Sequence, residues 1–175
     1  MRISCLYFIG LFFIAACGEP NPRKPVGKNA LDFLDKTVLL NKKRVADENK
    51  QLQDRINSDT LFNYINSNKG FWYAYITKNE SSKKPIKGDL VQFEQEIYAL
   101  DGTVLYTKEE VGLRSYRVDM EPVIKGLQEG IKLMREGEEV SFVFSSFVAY
   151  RTSGDYNKIG VNQPVISNIR IININ

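Results

Sequence analysis

Side chains that could perform covalent or redox chemistry are scarce in this sequence. Histidine is absent, and the two cysteines, Cys5 and Cys17, both lie within the first seventeen residues. The lack of histidine excludes Ser-His-Asp and Cys-His nucleophile pairs, imidazole acid–base chemistry and most zinc and iron sites. Any catalysis by this chain must therefore work without imidazole, and we expect neither a metal nor a cofactor.

The placement of both cysteines fits an export signal. Arg2 supplies a positive charge, and the apolar run over residues 6–16 is far shorter than the roughly 20 residues that a membrane-spanning helix needs. The run ends in Ile-Ala-Ala-Cys at 14–17, which resembles the bacterial lipobox, where the cysteine is diacylated and becomes the new N-terminus. We therefore predict a lipoprotein signal peptide over 1–17 with lipidation at Cys17. The alternatives are an ordinary signal peptide and a buried hydrophobic N-terminus.

Lipidation would fix both the thiol content and the location of the protein. Cys5 would leave with the signal, so the mature chain would have no free thiol and no disulfide. Several acyl chains on Cys17 suffice for stable anchoring, and the proline-rich, polar stretch 18–29 is predicted to be a flexible tether. We expect a cell-envelope protein that is lipid-anchored in the outer membrane and faces the periplasm, because Glu19 alone is weak support for surface display.

Composition limits the size of the fold and its partners. The chain has 175 residues, of which 43% are hydrophobic and 26% charged, which favours one globular domain with an appendage. It carries 24 Lys and Arg against 21 Asp and Glu, with no long basic run. A dedicated nucleic-acid binder is therefore excluded.

The segment 30–69 is predicted to be helical. Asn41 and Glu48 occupy positions where a coiled coil needs leucine, so at most a weak dimer is expected through this helix. Either the apolar stripe packs on the chain's own domain, or it docks a dimer partner. Within 30–57 the stripe consists of residues that recur every seven positions: Leu31, Val38, Val45 and Leu52.

A second short helix is predicted after the first one. Ser58 or Asp59 could cap it, and it would end near Gly70. Its apolar residues are Leu61, Phe62, Tyr64 and Ile65.

Beyond Gly70 the hydrophobic period changes to two, which indicates β-strands. Asp101-Gly102 predicts a hairpin turn, because glycine adopts the positive φ of a tight turn. Helical spacing returns only over 122–134, with Gly137 as a stop. The predicted fold class is α+β, with an antiparallel sheet and one main helix. The predicted strands cover 71–77, 90–99, 103–107, 140–145 and 165–174.

One segment carries a resemblance to a known family. The order of strand, hairpin, Val123-Ile124-Lys125-Gly126-Leu127-Gln128-Glu129-Gly130, strand, Ala149-Tyr150, loop and final strand resembles FKBP-type peptidyl-prolyl isomerases over about residues 87–174. With the lipobox and the N-terminal helix, the whole chain is similar to the gliding-motility-associated isomerase lipoproteins of Bacteroidota. The resemblance implies an FKBP-like sheet wrapped over a short helix, in a domain spanning 70–175.

The resemblance also implies a pocket for a substrate proline. Val123 and Ile124 match the Val-Ile pair that lines the pocket floor, and Tyr150 matches the tyrosine whose hydroxyl can hold a substrate carbonyl. Ile159 falls where the flap loop supplies an aliphatic wall. Leu127 and Leu105 stand where the family usually has a tryptophan and the phenylalanine of a Phe-Asp pair. The expected catalytic residues are Tyr150, Val123 and Ile124, and the expected substrate-binding residues are Leu105, Leu127 and Ile159.

Two polar residues are placed unusually. Gln95 and Ser167 fall on the inward faces of their strands, where the family tends to have a tyrosine and a phenylalanine, and polar groups inside a fold need hydrogen-bond partners. Three interpretations are open: an error of strand register, a hydrogen-bonded core pair, or a reshaped and wetter pocket.

Three functions are compatible with the sequence. The first is an isomerase that assists folding of exported, proline-containing polypeptides, including those of gliding motility or secretion. The second is a non-catalytic chaperone or binding module on the same fold, and the third is an extracytoplasmic ligand carrier. Gliding motility enters only through the family resemblance.

Overall fold

The computed structural model describes residues 29–175. The predicted signal peptide over 1–17, the lipidation site Cys17 and the predicted tether, apart from Asn29, lie outside the described residues. Within 29–175 no helix is both long and apolar enough to span a membrane. The elements in chain order are α1 (Asn29–Ser58), β1 (Ile65–Asn66), β2 (Phe71–Thr77), β3 (Leu90–Ala99), β4 (Val104–Tyr106), α2 (Lys108–Val111), β5 (Arg114–Arg117), α3 (Lys125–Ile131), β6 (Glu139–Phe144) and β7 (Val165–Ile174).

The strands form one antiparallel sheet. Neighbours follow the order β1-β2-β6-β7-β3-β4, and β5 pairs with the first residues of β3. The predicted Asp101-Gly102 turn joins β3 to β4, with Gly102 at φ 89°. Strand β3 alternates as expected, since Val91, Phe93 and Gln95 are buried while the residues between them are half-buried. The predicted α+β class is confirmed.

Helix α3 lies on the inner face of the sheet because two glycines let it approach closely. An added Cβ on Gly126 would lie 2.5 Å from Cδ1 of Phe144, and one on Gly130 would lie 2.9 Å from Cε1 of Phe142. Both phenylalanines are on β6 and are fully buried. The four-residue spacing of the glycines thus places both on the helix face that contacts β6.

The later part of α1 packs on the opposite face of the sheet. Leu52 is fully buried and forms a cluster with Val143 of β6 and Ile166 of β7. Val143 alternates with Phe142 and Phe144, so the two clusters lie on opposite faces. Packing on the chain's own domain is therefore confirmed for this part of α1, which belongs to the compact unit Asn41–Asn175.

The predicted second short helix is wrong. Helix α1 ends at Ser58, and an Asp59 carboxylate oxygen accepts a 3.0 Å hydrogen bond from the Leu61 amide in a turn. The next residues pair as β1 with β2, where Ile65 faces Tyr73 across the sheet. Pairing with the sheet edge therefore overrides the local helical spacing.

Three further differences concern the middle of the chain. The main helix covers only Lys125–Ile131, because Ile124 at its N-cap has an extended backbone, with φ −57° and ψ 142°. The sequence patterns missed α2, which starts with a capping box between Thr107 and Glu110. They also missed β5, a four-residue strand with only one buried side chain.

Candidate active site

All six predicted pocket residues either belong to the main hydrophobic core cluster or pack against it. Leu127 and Ile159 are 1% and 3% exposed and are part of the cluster itself. The other four are half-buried and pack against it, so each keeps part of its side chain accessible. These four residues are Leu105, Val123, Ile124 and Tyr150.

Val123 and Ile124 lie directly before α3, with Ile124 at the N-cap position. The Gln128 amide donates a 3.1 Å hydrogen bond to the Ile124 carbonyl, and the Gly126 amide donates one of 2.8 Å to the Val148 carbonyl. The second bond ties the beginning of the helix to the loop after β6. The Val-Ile pair is thereby held beside the loop that carries Tyr150.

Tyr150 offers the free hydrogen-bonding group of this surface. Its hydroxyl has no hydrogen-bond partner within the part of the chain that the structure describes, and it is not sealed from solvent. Burial of the ring raises the pKa of Tyr150; the positive charge of Arg114 acts to lower this pKa, and the negative charge of Asp155 acts to raise it. The hydroxyl therefore stays protonated at neutral pH and can donate to a carbonyl oxygen.

A carboxylate lies beside Tyr106. The Tyr106 hydroxyl donates to Asp155, whose carboxylate also accepts hydrogen bonds of 2.8 Å from the Ile159 amide and 2.9 Å from the Asn157 amide. Burial alone would raise the pKa of Asp155, but these three hydrogen bonds outweigh it and keep the pKa below its ordinary value. Asp155 thus fixes the loop that brings Ile159 into the cluster. Tyr106, next to Leu105, is thereby paired with a carboxylate from the loop between β6 and β7.

Gln95 and Ser167 form a hydrogen-bonded core pair. Both are 1% exposed, and Gln95 Nε2 donates a 2.9 Å hydrogen bond to Ser167 Oγ. Arg114 Nη1 donates a 3.1 Å hydrogen bond to the side-chain oxygen of Gln95, Oε1. The predicted inward register is therefore confirmed, and the polar groups are satisfied. Sequence reasoning missed Arg114, although its alternation with the buried Tyr116 was a signal.

The loop that carries Tyr150 is anchored to α1. The Ser146 amide and hydroxyl donate hydrogen bonds of 2.6 and 2.7 Å to the two carboxylate oxygens of Glu48. The Arg151 amide donates in turn to the Ser146 carbonyl at 2.8 Å. Glu48 occupies a position where a coiled coil needs leucine, and the structure shows that its carboxylate anchors this loop.

A separate cavity of about 430 Å³ lies between α1 and the same loop. Val45 and Phe147 provide its apolar lining, and Arg44 and Arg151 provide charge. None of the six predicted pocket residues lines it. Within residues 29–175, no group of three or more Cys, Asp or Glu side chains is placed to hold a metal ion.

The fold and the site define a class of protein. The site combines apolar side chains next to a short helix with one free hydroxyl on the loop after β6. Such a site can bind an apolar residue that is next to a carbonyl group. No nucleophile paired with a base lies among the described site residues. Such a site acts on a peptide by binding and not by covalent chemistry.

Comparison with known proteins identifies the family. Residues 81–172 match the family of FKBP-type peptidyl-prolyl cis-trans isomerases, which is more than half of the chain, and the chain belongs to this family. It is 35% identical over 99 residues to a probable FKBP-type peptidyl-prolyl cis-trans isomerase FkpA of Neisseria meningitidis serogroup B. That match covers 57% of this chain and 36% of the relative, so the chain spans little more than a third of that protein.

A solved structure shows the same fold. The peptidyl-prolyl cis-trans isomerase of Pseudomonas syringae pv. tomato is similar with a TM-score of 0.62 and 18% sequence identity. The match covers 76% of this chain and 94% of the other. The predicted FKBP-like fold is therefore confirmed.

Proposed function

We propose that this chain catalyses the cis–trans isomerisation of peptide bonds that precede proline in exported proteins of the cell envelope. The observation that carries the proposal is the free Tyr150 hydroxyl on a loop that is hydrogen-bonded to the start of α3, directly after the half-buried Val123 and Ile124. Family membership supports the reaction type.

The reaction suits a site without imidazole. Resonance in the amide creates a rotation barrier of about 18–20 kcal/mol, and uncatalysed exchange before proline takes tens to hundreds of seconds. A site that binds the twisted amide more tightly than the planar one lowers this barrier, and each tenfold in rate needs about 1.4 kcal/mol of such preference. An apolar surface contributes because it solvates the charge-separated planar form poorly.

Each predicted residue has a role in this proposal. Val123 and Ile124 contact the proline ring, and the Tyr150 hydroxyl donates to the carbonyl of the preceding residue. Leu105 flanks the ring, while the buried Leu127 and Ile159 hold these groups in place. No step requires a cofactor.

The test is the exchange rate of a Leu-Pro peptide, measured by NMR exchange spectroscopy with the full chain in a non-ionic detergent. Tyr150→Phe removes one hydroxyl and should lower kcat/KM about tenfold, the value of one hydrogen bond made in the transition state. Tyr156→Phe is the matched control, because Tyr156 is 91% exposed. A folded chain that does not accelerate exchange would refute the proposal.

Lipid anchoring is a further part of the proposal. The Ile-Ala-Ala-Cys sequence at 14–17 supports lipidation of Cys17. Attachment to the outer membrane on its periplasmic side is proposed because Glu19 alone is a weak signal for surface display. Clients that include proteins of gliding motility or secretion rest on the family resemblance alone. Metabolic labelling with a fatty-acid analogue should mark the wild-type chain and not Cys17→Ser. Labelling of both the wild type and the Cys17→Ser variant, or of neither, would contradict this assignment.

A second candidate function is a non-catalytic chaperone. The half-buried Arg114 favours it, because a charged side chain on the inner face of the sheet makes the site less apolar. Suppression of client aggregation without any acceleration of proline exchange would support this candidate over the isomerase.

Self-association through α1 is the proposed partner interaction. In the unit that ends at Leu40, several apolar side chains of α1 are more than half exposed, which favours a weak dimer. Light scattering should show a concentration-dependent mass, and Leu39→Glu should abolish it. The exposed residues are Phe33, Leu34, Leu39 and Leu40.

A further inference from the structure

Arg114 directs a positive charge to the inner face of the sheet. Arg114 pairs with Phe93 of β3. Along β5, Arg114 is half-buried and Tyr116 is buried, whereas Ser115 and Arg117 are exposed. Strand alternation therefore places the Arg114 side chain on the same inner face as Tyr116. Its guanidinium carbon lies 5.6 Å from the centre of the Phe93 ring.

This charge has no carboxylate partner. Among the residues that the structure describes, no Asp or Glu oxygen lies within ion-pair distance of the guanidinium, which donates to the neutral Gln95. The nearby Asp155 is held instead by Tyr106 and the Ile159 amide. Arg114 is half-buried, so its charge is only partly screened by solvent.

The charge also reaches the site. The guanidinium lies over the ring of Phe93, which belongs to the hydrophobic cluster against which Tyr150 packs. Its charge also acts on Tyr150, whose pKa it lowers against the larger effect of burial. Arg114 therefore lies within electrostatic range of the group that would hold the substrate carbonyl. The side chain of the same substrate residue starts at Cβ, which is two bonds from that carbonyl carbon.

We propose that Arg114 is a specificity-determining residue that favours substrates with an acidic residue immediately before the proline. The inference rests on the proposed isomerase function. A glutamate at that substrate position supplies the missing carboxylate, whereas a lysine meets a like charge. We expect kcat/KM for Glu-Pro to exceed that for Lys-Pro about fivefold, the upper range for a partly exposed ion pair.

The experiment compares three peptides that differ only in the residue before proline. Ala-Glu-Pro-Phe, Ala-Leu-Pro-Phe and Ala-Lys-Pro-Phe are followed by NMR exchange spectroscopy with the full chain in a non-ionic detergent. Arg114→Met removes the charge and keeps the apolar stem, and Arg114→Lys retains a charge. Arg117→Met is the matched control, because Arg117 is on the same strand with its side chain exposed.

The expected pattern is specific. The Glu-Pro preference should disappear in Arg114→Met, persist in Arg114→Lys and Arg117→Met, and weaken as salt is raised. Equal rates for Glu-Pro and Lys-Pro with wild type, while Leu-Pro is accelerated, would overturn the inference and leave the proposed function standing. Loss of the preference in Arg117→Met would also overturn it, because a general surface charge would then be responsible. No acceleration of any peptide would overturn both.

Discussion

Replacing Gly126 with alanine should destabilise the fold by forcing α3 away from the sheet. The new Cβ would lie 2.5 Å from Cδ1 and 2.6 Å from Cε1 of Phe144. Carbon atoms in contact are normally about 3.5–4.0 Å apart, so roughly 1 Å of movement is needed. Phe144 cannot easily provide it, because the ring is fully buried and stacked on Phe142 with centroids 5.3 Å apart.

Two opposing effects set the size of the loss. Overpacking a core costs about 1–3 kcal/mol, and alanine gains about 1 kcal/mol over glycine within a helix. Because an approach of 2.5 Å places the overpacking cost near the upper end of its range, about 3 kcal/mol, the net loss should be about 2 kcal/mol in the free energy of unfolding. For a chain of this size that corresponds to a fall of about 5 °C in Tm.

Urea and thermal denaturation of the full chain measure this loss. Gly130→Ala is the matched comparison: it has the same gain in helix propensity, but its closest contact is the longer 2.9 Å to Phe142. We expect Gly126→Ala to be the less stable variant, and Phe144→Leu in the same chain to recover part of its loss. If Gly126→Ala equalled or exceeded the stability of wild type, the packing argument would be refuted.

Three further changes test the polar contacts. Glu48→Gln should weaken the two charge-assisted hydrogen bonds to the loop after β6. It should lower the free energy of unfolding, measured in urea, by about 1–2 kcal/mol and also lower kcat. Unchanged stability and kcat would show that the loop needs no anchor. Ser167→Ala should lower the free energy of unfolding by about 1–3 kcal/mol, because it leaves the Gln95 amide unpaired. Adding Gln95→Leu should recover part of this loss, and a Ser167→Ala variant as stable as wild type would contradict the expectation. Glu129 has its pKa lowered to about 2, chiefly by Lys69. The contribution of the charged Glu129 is therefore complete above its ordinary pKa of 4.5 and is lost as the pH falls towards 2, so Glu129→Gln should flatten the decline of Tm between about pH 5 and pH 2.

Local sequence patterns predicted much of the fold. The alternation in β3 placed Gln95 on the inner face, where the structure has it, because one buried face imposes a period of two. The Asp101-Gly102 turn was predictable because only a few residue types tolerate its backbone angles. The glycines of α3 were visible as a motif, but their role as contact points for phenylalanine rings was not.

Contacts between distant parts of the chain were not predictable in this way. The hydrogen bonds between Glu48 and Ser146 join residues 98 positions apart, and each residue by itself is typical of an exposed surface. The same is true of Tyr106 and Asp155, which are 49 positions apart. Strand β1 was misassigned because its two residues take their structure from pairing with β2.

The position of β7 has a consequence for how the chain folds. This strand is the last in sequence, yet it lies between β6 and β3, so residues 165–174 alone join β1-β2-β6 to β3-β4-β5. A chain emerging from a ribosome or a translocation channel therefore cannot close its sheet until Ile174 is free. Until then β6 lacks its strand neighbour on one side, and an unpaired strand edge is prone to pair with other chains. A protein that is proposed to assist the folding of others would therefore complete its own sheet only after β7 has been made.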